Sequence, residues 1–327
     1  MKNNILLIDA DSKIPNIPLM KLSTYHKSIG DNVKLVRVKL PYFPNRKKYI
    51  YNVPIGFDKY YASVVFEGNK EYIKGNNIIF GGTGVDLKTI LPKYIEEMSK
   101  DYTIYPDNNT SYGFISRGCI RKCYFCKVPE KEGYIHRVST VDNIVEHEKV
   151  EFLDNNILAL PEHKEVLKEL INKNIKCKFS QGLDIRLIDV ENSLLLNKLN
   201  YIGEYIFAFD NWKYRKIIEK KLPLLSWKVP WALKFYVYMH PNMTIKETLK
   251  RIQWLKDNEC LPYIMRDITC WSSEYNKFYI DIASYCNQPN FFKKINFRTF
   301  LEKRYKNKER IEFSYNIYKK GKYEFTN

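Results

Sequence analysis

Residues 111–126 have the sequence SYGFISRGCIRKCYFC, a short strand-like segment that runs into a loop with three cysteines. These are Cys119, Cys123 and Cys126, which gives the spacing C-x3-C-x2-C with an aromatic residue before the last cysteine. Three thiolates on one short loop can ligate three irons of a cubane cluster and leave the fourth iron without a protein ligand. The spacing therefore predicts a 4Fe-4S cluster with one open coordination site.

Positive charge surrounds this loop, at Arg117, Arg121, Lys122 and Lys127. It favours thiolate over thiol and offsets the negative charge of a cluster. The alternative is a structural zinc ion, which needs four ligands that commonly come as two close pairs. The nearby candidate for a fourth ligand is His136, ten residues after Cys126. The spacing consequently favours an iron–sulfur cluster over zinc.

The chain has seven cysteines, an odd number, and no secretion signal, so a disulfide framework is not expected. No cysteine precedes the loop, and the four that follow it are scattered, at Cys177, Cys260, Cys270 and Cys286. Free cysteine is commonly a core residue. We therefore expect the last three to be small buried side chains rather than ligands of a second cluster.

Strand and helix patterns alternate from residue 112 onward. The strand candidates are residues 112–116, 150–154, 177–180, 205–209, 233–239 and 261–265. Helix patterns lie between them, such as the apolar stripe of residues 245–256. Repeated βα units imply parallel strands. The pattern predicts a partial (βα)6 TIM-type barrel over residues 106–290, with its chemistry at the C-terminal ends of the strands.

The first hundred residues show a separate alternation. Strand candidates are residues 4–9, 33–38, 60–66 and 77–80, and residues 19–29 have helical spacing. This predicts an open Rossmann-like (flavodoxin-like) α/β sheet over residues 1–105. The loop Gly81-Gly82-Thr83-Gly84 follows the last of these strands. It is compatible with a phosphate or nucleotide site and equally with a tight turn.

Composition and charge set the class of protein. With 327 residues, 45% of them hydrophobic and 28% charged, the chain is long enough for two globular domains. Its longest apolar stretch, residues 222–239, is broken by prolines and lysines, so a membrane span is not expected. The N-terminus lacks the features of a signal peptide. We expect a cytoplasmic protein.

Nucleic acid is a candidate partner because the net charge is +17, from 54 basic and 37 acidic residues. One local concentration lies in residues 293–322, which contain 11 basic and three acidic residues with tyrosines interleaved. Basic and aromatic side chains together can hold a polynucleotide. The alternative is a solvated lysine-rich surface. Residues 291–327 are expected to form a basic C-terminal extension.

The cysteine spacing after the first strand of a βα series resembles the radical S-adenosylmethionine superfamily. Five further segments resemble a branch with an N-terminal cobalamin-binding-like domain, namely residues 11–16, 81–84, 154–159, 181–186 and 207–210. The resemblance implies that Cys119, Cys123 and Cys126 are the catalytic metal ligands, and that the open iron binds S-adenosylmethionine. An electron donor such as flavodoxin or ferredoxin then drives its cleavage to a 5′-deoxyadenosyl radical, which abstracts hydrogen from an unknown substrate.

Polar residues after the predicted strands are the candidates for binding S-adenosylmethionine. The resemblance assigns this role, by their position after the strands, to Asp154, Asn155, Gln181, Arg186 and Asp210. Phe125 is expected beside the adenine or over the cluster. Arg186 is expected either to bind the methionine carboxylate or to form an ion pair with Asp184. On the substrate side the candidates are His240, Arg266 and Asp267, which follow the last two strands.

Two departures from the resemblance narrow the function. Cobalamin domains with a histidine ligand carry Asp-x-His-x-x-Gly, whereas residues 11–16 read Asp-Ser-Lys-Ile-Pro-Asn. This favours a domain that has lost cobalamin over one that binds it without histidine. The absence of cysteine before Cys119 argues against methylthiotransferase chemistry. Two alternatives stay open: radical modification of a tRNA-like substrate, and a non-catalytic, metal-stabilised nucleic-acid-binding protein.

Overall fold

Parallel sheets and helices alternate along the chain in the computed structural model, which describes residues 2–41 and 49–323. Residues 42–48 of the predicted N-terminal domain and 324–327 of the predicted extension lie outside the described residues, as does Met1. The chain divides into two units. The first comprises Met1–Gly113, Arg121–Tyr134 and Asp142–Val150, and the second Phe114–Ile120, Ile135–Val141 and Glu151–Asn327. The predicted α/β class is confirmed.

The first unit contains the N-terminal sheet. Its elements are β1 (Asn4–Asp9), α1 (Ile17–Ser28), β2 (Asn32–Arg37), β3 (Tyr51–Asn52), β4 (Lys59–Ser63), β5 (Ile73–Lys74), β6 (Ile78–Gly81) and α2 (Lys93–Glu96). Four strands are parallel in the order β2-β1-β4-β6, and β3 and β5 form a small parallel pair. All four strands predicted in this region are confirmed.

Strand β1 lies inside its sheet because four consecutive apolar side chains are buried on both faces. Leu6 and Ile8 pack into one apolar cluster. Ile5 and Leu7 pack into the other, which includes Leu19 of α1. Helix α1 begins after Asn16, whose side chain accepts a hydrogen bond from the Leu19 backbone N–H at 3.2 Å.

The glycine loop after β6 is in close backbone contact with the segment that follows β4. A Cβ atom on Gly82 would lie 2.3 Å from the Val64 carbonyl oxygen, and one on Gly84 would lie 2.6 Å from that of Phe66. Gly82 also has φ +101°, a backbone conformation that side chains other than glycine rarely adopt. Tight packing therefore accounts for these glycines without a phosphate.

The remaining elements up to residue 266 follow the second predicted alternation. They are β7 (Thr110–Gly113), β8 (Ser116–Arg117), α3 (Val128–Lys131), β9 (His136–Arg137), β10 (Lys149–Phe152), α4 (His163–Asn172), β11 (Lys176–Phe179), α5 (Val190–Lys198), β12 (Tyr205–Ala208), α6 (Arg215–Lys221), β13 (Leu233–Met239), α7 (Ile245–Asp257) and β14 (Leu261–Arg266). Five of the six predicted strands correspond to β10–β14 and are confirmed, whereas the first, predicted over residues 112–116, is interrupted: β7 ends at Gly113 and β8 begins at Ser116.

Three of these strands form the main sheet of the second unit. β12, β13 and β14 are parallel and adjacent in chain order, and β11 lies beside β10. The loop after β11 reaches β12 through a parallel bridge, in which Leu183 donates its N–H to the Ile206 carbonyl at 2.7 Å. No closed barrel forms among the described residues.

Helices complete the second unit: α8 (Asn276–Cys286), α9 (Pro289–Lys294), α10 (Phe297–Arg304) and α11 (Lys308–Tyr323). Phe292, Phe297 and Phe300 are buried, and α11 packs on α7 and α8. The described part of residues 291–327 is thus a helical layer with an aromatic core beneath its basic surface. Within the described ranges, no helix is long and apolar enough to cross a bilayer.

Candidate functional site

The first cysteine lies just after a short strand. β8 pairs antiparallel with β9, and Gly118 follows it with φ +80°, which turns the chain at Cys119. Further along, the Cys126 backbone N–H donates to the Cys123 carbonyl at 2.9 Å, so a tight turn holds these two residues. The C-x3-C-x2-C loop therefore contains one hydrogen-bonded turn, at Cys123–Cys126, preceded by a glycine with positive φ.

The seven thiols fall into two groups by exposure. Cys119, Cys123 and Cys126 are half-buried, whereas the four later cysteines are buried, as expected for Cys260, Cys270 and Cys286. Burial raises the pKa of the thiols of Cys177 and Cys260 to about 12, and that of Cys270 to about 11. Buried thiols that resist ionisation are poor metal ligands. The three loop cysteines are therefore the better candidates for ligands, because they are the more exposed thiols.

The loop is divided between the two units of the chain. Cys119 belongs to the second unit, and Cys123 and Cys126 belong to the first. In the part of the chain that the structure describes, no three His, Cys, Asp or Glu side chains are gathered to hold a metal ion. His136, the candidate fourth zinc ligand, is exposed on β9. A cluster on the three cysteines stays a prediction from the sequence.

Asp154 anchors the strand that leads to Cys119. Its buried carboxylate accepts hydrogen bonds from the Ile115 N–H at 3.1 Å, the Ser116 N–H at 2.6 Å and the Ser116 hydroxyl at 2.7 Å. Burial raises the pKa of Asp154 to about 6, although these hydrogen bonds oppose the rise. The structure thus shows Asp154, predicted to bind the cofactor, as a buried support for the cysteine loop.

Asn156 contacts the loop directly, and the sequence did not single it out. Its amide nitrogen lies 3.6 Å from the Cys119 sulfur. Its Oδ1 is buried and has no hydrogen-bond partner within the described residues. Asn155, the predicted residue, is half-buried. The Asp-Asn-Asn sequence after β10 was the available signal, but sequence alone does not tell which amide faces the sulfur.

Such an unsatisfied buried acceptor is uncommon in folded proteins and is often explained by a bound ligand or ion. The buried Oδ1 of Asn156, unpartnered within the described residues and on a residue whose amide nitrogen also contacts Cys119, therefore marks this segment as a candidate ligand contact. No protein-family model matches the chain, and no curated protein is similar to it. The candidate function consequently depends on the residues of this chain.

Residues after β11 form an ion pair. Arg186 binds Asp184 through two contacts, Nε to Oδ1 at 2.7 Å and Nη2 to Oδ2 at 3.0 Å, and its guanidinium lies over the Tyr214 ring. This is the alternative that the sequence left open for Arg186. Gln181, the other candidate after this strand, is exposed.

Asp210 follows β12 and is joined to the next strand. Its Oδ1 accepts the Tyr238 backbone N–H at 3.0 Å. Burial raises the pKa of Asp210, while that hydrogen bond and the charges of Arg251 and Arg186 oppose the rise. Arg251, a fully buried residue of α7, donates to the carbonyls of Phe209 at 2.9 Å and Tyr238 at 3.1 Å. It holds the ends of β12 and β13 together.

The candidates after β13 and β14 meet at the same edge of the sheet. His240 Nε2 lies 3.7 Å from Asp267 Oδ1, and the Tyr238 hydroxyl donates to Asp267 Oδ2 at 2.5 Å. Burial acts to raise the pKa of Asp267, but hydrogen bonds from Thr269 and Tyr238 and the nearby His240 outweigh it and lower the pKa. The structure thus brings together His240 and Asp267, two of the substrate-side candidates.

Two other predicted residues pack against aromatic rings. The Arg266 guanidinium lies 4.5 Å from the centroid of the Trp271 ring. Phe125 is half-buried and contacts Tyr124 edge to face, with ring centroids 5.3 Å apart. Each of these two side chains thus has an aromatic neighbour.

The first unit has its own cleft, of about 330 Å³, beside the ends of β1 and β2. Its lining includes Lys13, Arg37 and Tyr105. Below it, Asp9 accepts hydrogen bonds from the Tyr105 hydroxyl and the Ser12 N–H, each at 3.0 Å. The segment 11–16 is thus engaged in local structure, and the loss of cobalamin stays a prediction.

Proposed function

We propose that this chain is a radical S-adenosylmethionine enzyme that holds a 4Fe-4S cluster on Cys119, Cys123 and Cys126. The observation that carries the proposal is the exposure of the seven thiols, because the three with the C-x3-C-x2-C spacing are half-exposed and the others are buried. When bound, such a cluster supplies one electron to S-adenosylmethionine, whose cleavage yields the 5′-deoxyadenosyl radical that removes hydrogen from a substrate.

The chain's own residues prepare the loop. Asp154 holds the Ile115–Ser116 backbone through three hydrogen bonds, and Gly118 makes the turn to Cys119. Arg117 lies over the Phe114 ring, 4.0 Å from its centroid, which keeps a positive charge next to the loop. Positive charge stabilises thiolate ligands and an anionic cluster. These contacts support a preorganised binding loop.

The arrangement of the later strands supports a partial barrel. β12, β13 and β14 are parallel and adjacent in chain order, and the bridge between Leu183 and Phe207 connects the β11 loop to β12. Asp210, His240 and Asp267 each follow one of these strands. In parallel βα folds, ligands bind at the carboxyl ends of the strands. We therefore assign S-adenosylmethionine and the substrate to this edge.

Anaerobic reconstitution with iron and sulfide tests the proposal. The expected product is a brown protein with about four irons per chain, which forms 5′-deoxyadenosine from S-adenosylmethionine and a reductant. Cys119→Ala should lose the iron, whereas Cys260→Ala, at a buried cysteine, should retain it. A protein that binds zinc and no iron, or an iron-loaded protein that leaves S-adenosylmethionine intact, would contradict the proposal.

A nucleic-acid substrate is the second candidate, and one surface favours it. Residues 303–308 expose four basic side chains in succession, at Lys303, Arg304, Lys306 and Lys308. Such a surface attracts the phosphate backbone with an affinity that falls as salt rises. The test is tRNA binding measured at increasing salt, with a Lys303→Glu/Lys306→Glu variant for comparison. Binding that is insensitive to salt and to the variant would remove this candidate.

A further inference from the structure

Two of the three loop cysteines lie at the ends of one tight turn. The Cys126 backbone N–H donates to the Cys123 carbonyl at 2.9 Å, and Tyr124 and Phe125 occupy the centre of the turn. The first and last Cα atoms of such a four-residue turn lie less than about 7 Å apart. Disulfides join residues whose Cα atoms are about 4.4–6.8 Å apart. The backbone of this turn therefore permits a bond between Cys123 and Cys126.

The pair also lies within a single unit of the chain. Cys123 and Cys126 both belong to the segment Arg121–Tyr134 of the first unit, whereas the other five cysteines belong to the second unit. A bond between Cys123 and Cys126 thus closes inside one turn. It needs no residue from the other unit.

Exposure and charge favour reaction at these two thiols. Both are half-buried, so a small molecule can reach them, whereas the four cysteines after the loop are buried. Arg121 and Lys122 immediately precede Cys123 in the sequence. Positive charge favours thiolate over thiol, and the thiolate is the form that attacks a disulfide.

We propose that Cys123 and Cys126 are a redox-active pair that forms a reversible disulfide, with a small-molecule disulfide such as oxidised glutathione as the oxidant. One thiolate attacks a glutathione sulfur, which forms a mixed disulfide and releases one glutathione thiol. The second thiolate then displaces the second glutathione. Two protein thiols are oxidised and one glutathione disulfide is reduced to two thiols, which take up the two protons.

This inference goes beyond the proposed function, because it concerns the metal-free loop. It assigns a modification site to the C-x2-C half of the loop, whether or not the three cysteines bind a metal.

The test equilibrates the full chain, freed of metal by a chelator, in mixtures of reduced and oxidised glutathione. Free thiols are then blocked with N-ethylmaleimide, and tryptic peptides are analysed by mass spectrometry. Trypsin separates residues 118–121, which contain Cys119, from residues 123–127, which contain both members of the pair. As oxidised glutathione increases, peptide 123–127 should lose two hydrogens and carry no maleimide, while peptide 118–121 stays blocked by maleimide. Dithiothreitol should reverse the change.

Cys119→Ser is the matched control and should form the bond as the wild-type protein does. Cys126→Ser should instead hold glutathione as a mixed disulfide on Cys123. In urea the equilibrium constant for forming the bond should fall about tenfold, because the unfolded chain must first close the turn.

Three outcomes would overturn the proposal. The first is maleimide on both cysteines of peptide 123–127 at every glutathione ratio. The second is a disulfide that links this peptide to peptide 118–121. The third is an equilibrium constant in folded protein no higher than that in urea, which would show that the turn does not favour the bond.

Discussion

The Asp154 carboxylate accepts both the backbone N–H and the hydroxyl of Ser116, at 2.6 and 2.7 Å. Its other oxygen accepts the Ile115 N–H at 3.1 Å. Because all these groups are buried, the two segments they join cannot exchange these bonds for bonds to water. The pair therefore fixes the start of the cysteine loop relative to the end of β10.

Asp154→Asn should destabilise the protein. The side-chain NH2 of the new asparagine would face the N–H and O–H groups of residues 115 and 116, which are also donors. At least one buried hydrogen bond would therefore be lost. The expected decrease in the free energy of unfolding is about 1–3 kcal/mol, measured by urea denaturation at pH 7. Asp257→Asn is the control, since Asp257 is exposed and pairs only with Gln253 among the contacts described for it. Equal effects of both substitutions would contradict the role of Asp154.

The pKa of Asp154 predicts a pH dependence of stability. Burial raises this pKa from 3.8 to about 6, so the folded protein binds the proton more tightly than the unfolded chain does. The contribution of this group to the free energy of unfolding is therefore largest below about pH 4 and falls as the pH rises to about 6. The total change is about 3 kcal/mol.

Urea denaturation at several pH values measures this contribution as the difference between wild-type protein and Asp154→Asn. The stability deficit of the variant should grow as the pH falls from 7 to 4, because only the wild-type side chain gains a proton. A deficit that stays constant over this range would show that the carboxyl group has an ordinary pKa.

The thiols should differ in their reactivity toward alkylating agents. In folded, metal-free protein, iodoacetamide should modify Cys119, Cys123 and Cys126 about tenfold or more faster than the four buried cysteines, whose raised pKa values disfavour thiolate. Mass spectrometry of peptides after timed labelling measures each rate. In urea all seven should react alike. Labelling of Cys270 as fast as Cys119 in the folded protein would contradict this grouping.

The strands could be predicted from the sequence because each is a short apolar run between polar or glycine-rich segments. β13, predicted as residues 233–239, has those bounds in the structure. The roles of single polar residues at strand ends could not be predicted in the same way. The cysteine spacing indicated a cluster, but whether Asp154 faces a ligand or Ser116 depends on a contact between residues far apart in sequence.

The C-terminal segment shows a second limit of sequence interpretation. Its lysines and arginines suggested a surface extension, yet the apolar face of α10 is buried and Arg310 binds the buried Asp281. Arginine is usually a surface residue, so composition favours exposure. Arg310 points inward because it pairs with Asp281, a carboxylate on α8 that lies 29 residues earlier in the chain. No local sequence pattern reveals this pairing.

Arg310 should contribute strongly to the attachment of α11. Its Nη2 lies 2.7 Å from Oδ2 of Asp281, a fully buried carboxylate that also accepts hydrogen bonds from Tyr305 at 2.6 Å and Ser314 at 2.7 Å. Arg310→Ala would leave this buried charge without its ionic partner. The expected loss in the free energy of unfolding is about 3 kcal/mol, with faster hydrogen exchange along α11.

Arg298→Ala is the matched control, because Arg298 forms ion pairs with Glu302 and Glu312 that are all largely exposed to solvent. Its effect should be much smaller, since water and salt screen surface ion pairs. Adding Asp281→Asn to Arg310→Ala removes the uncompensated charge, so the double variant should be more stable than the sum of the single losses implies. Strictly additive losses, or equal effects of the two arginine substitutions, would show that the Asp281–Arg310 pair does not hold α11 in place.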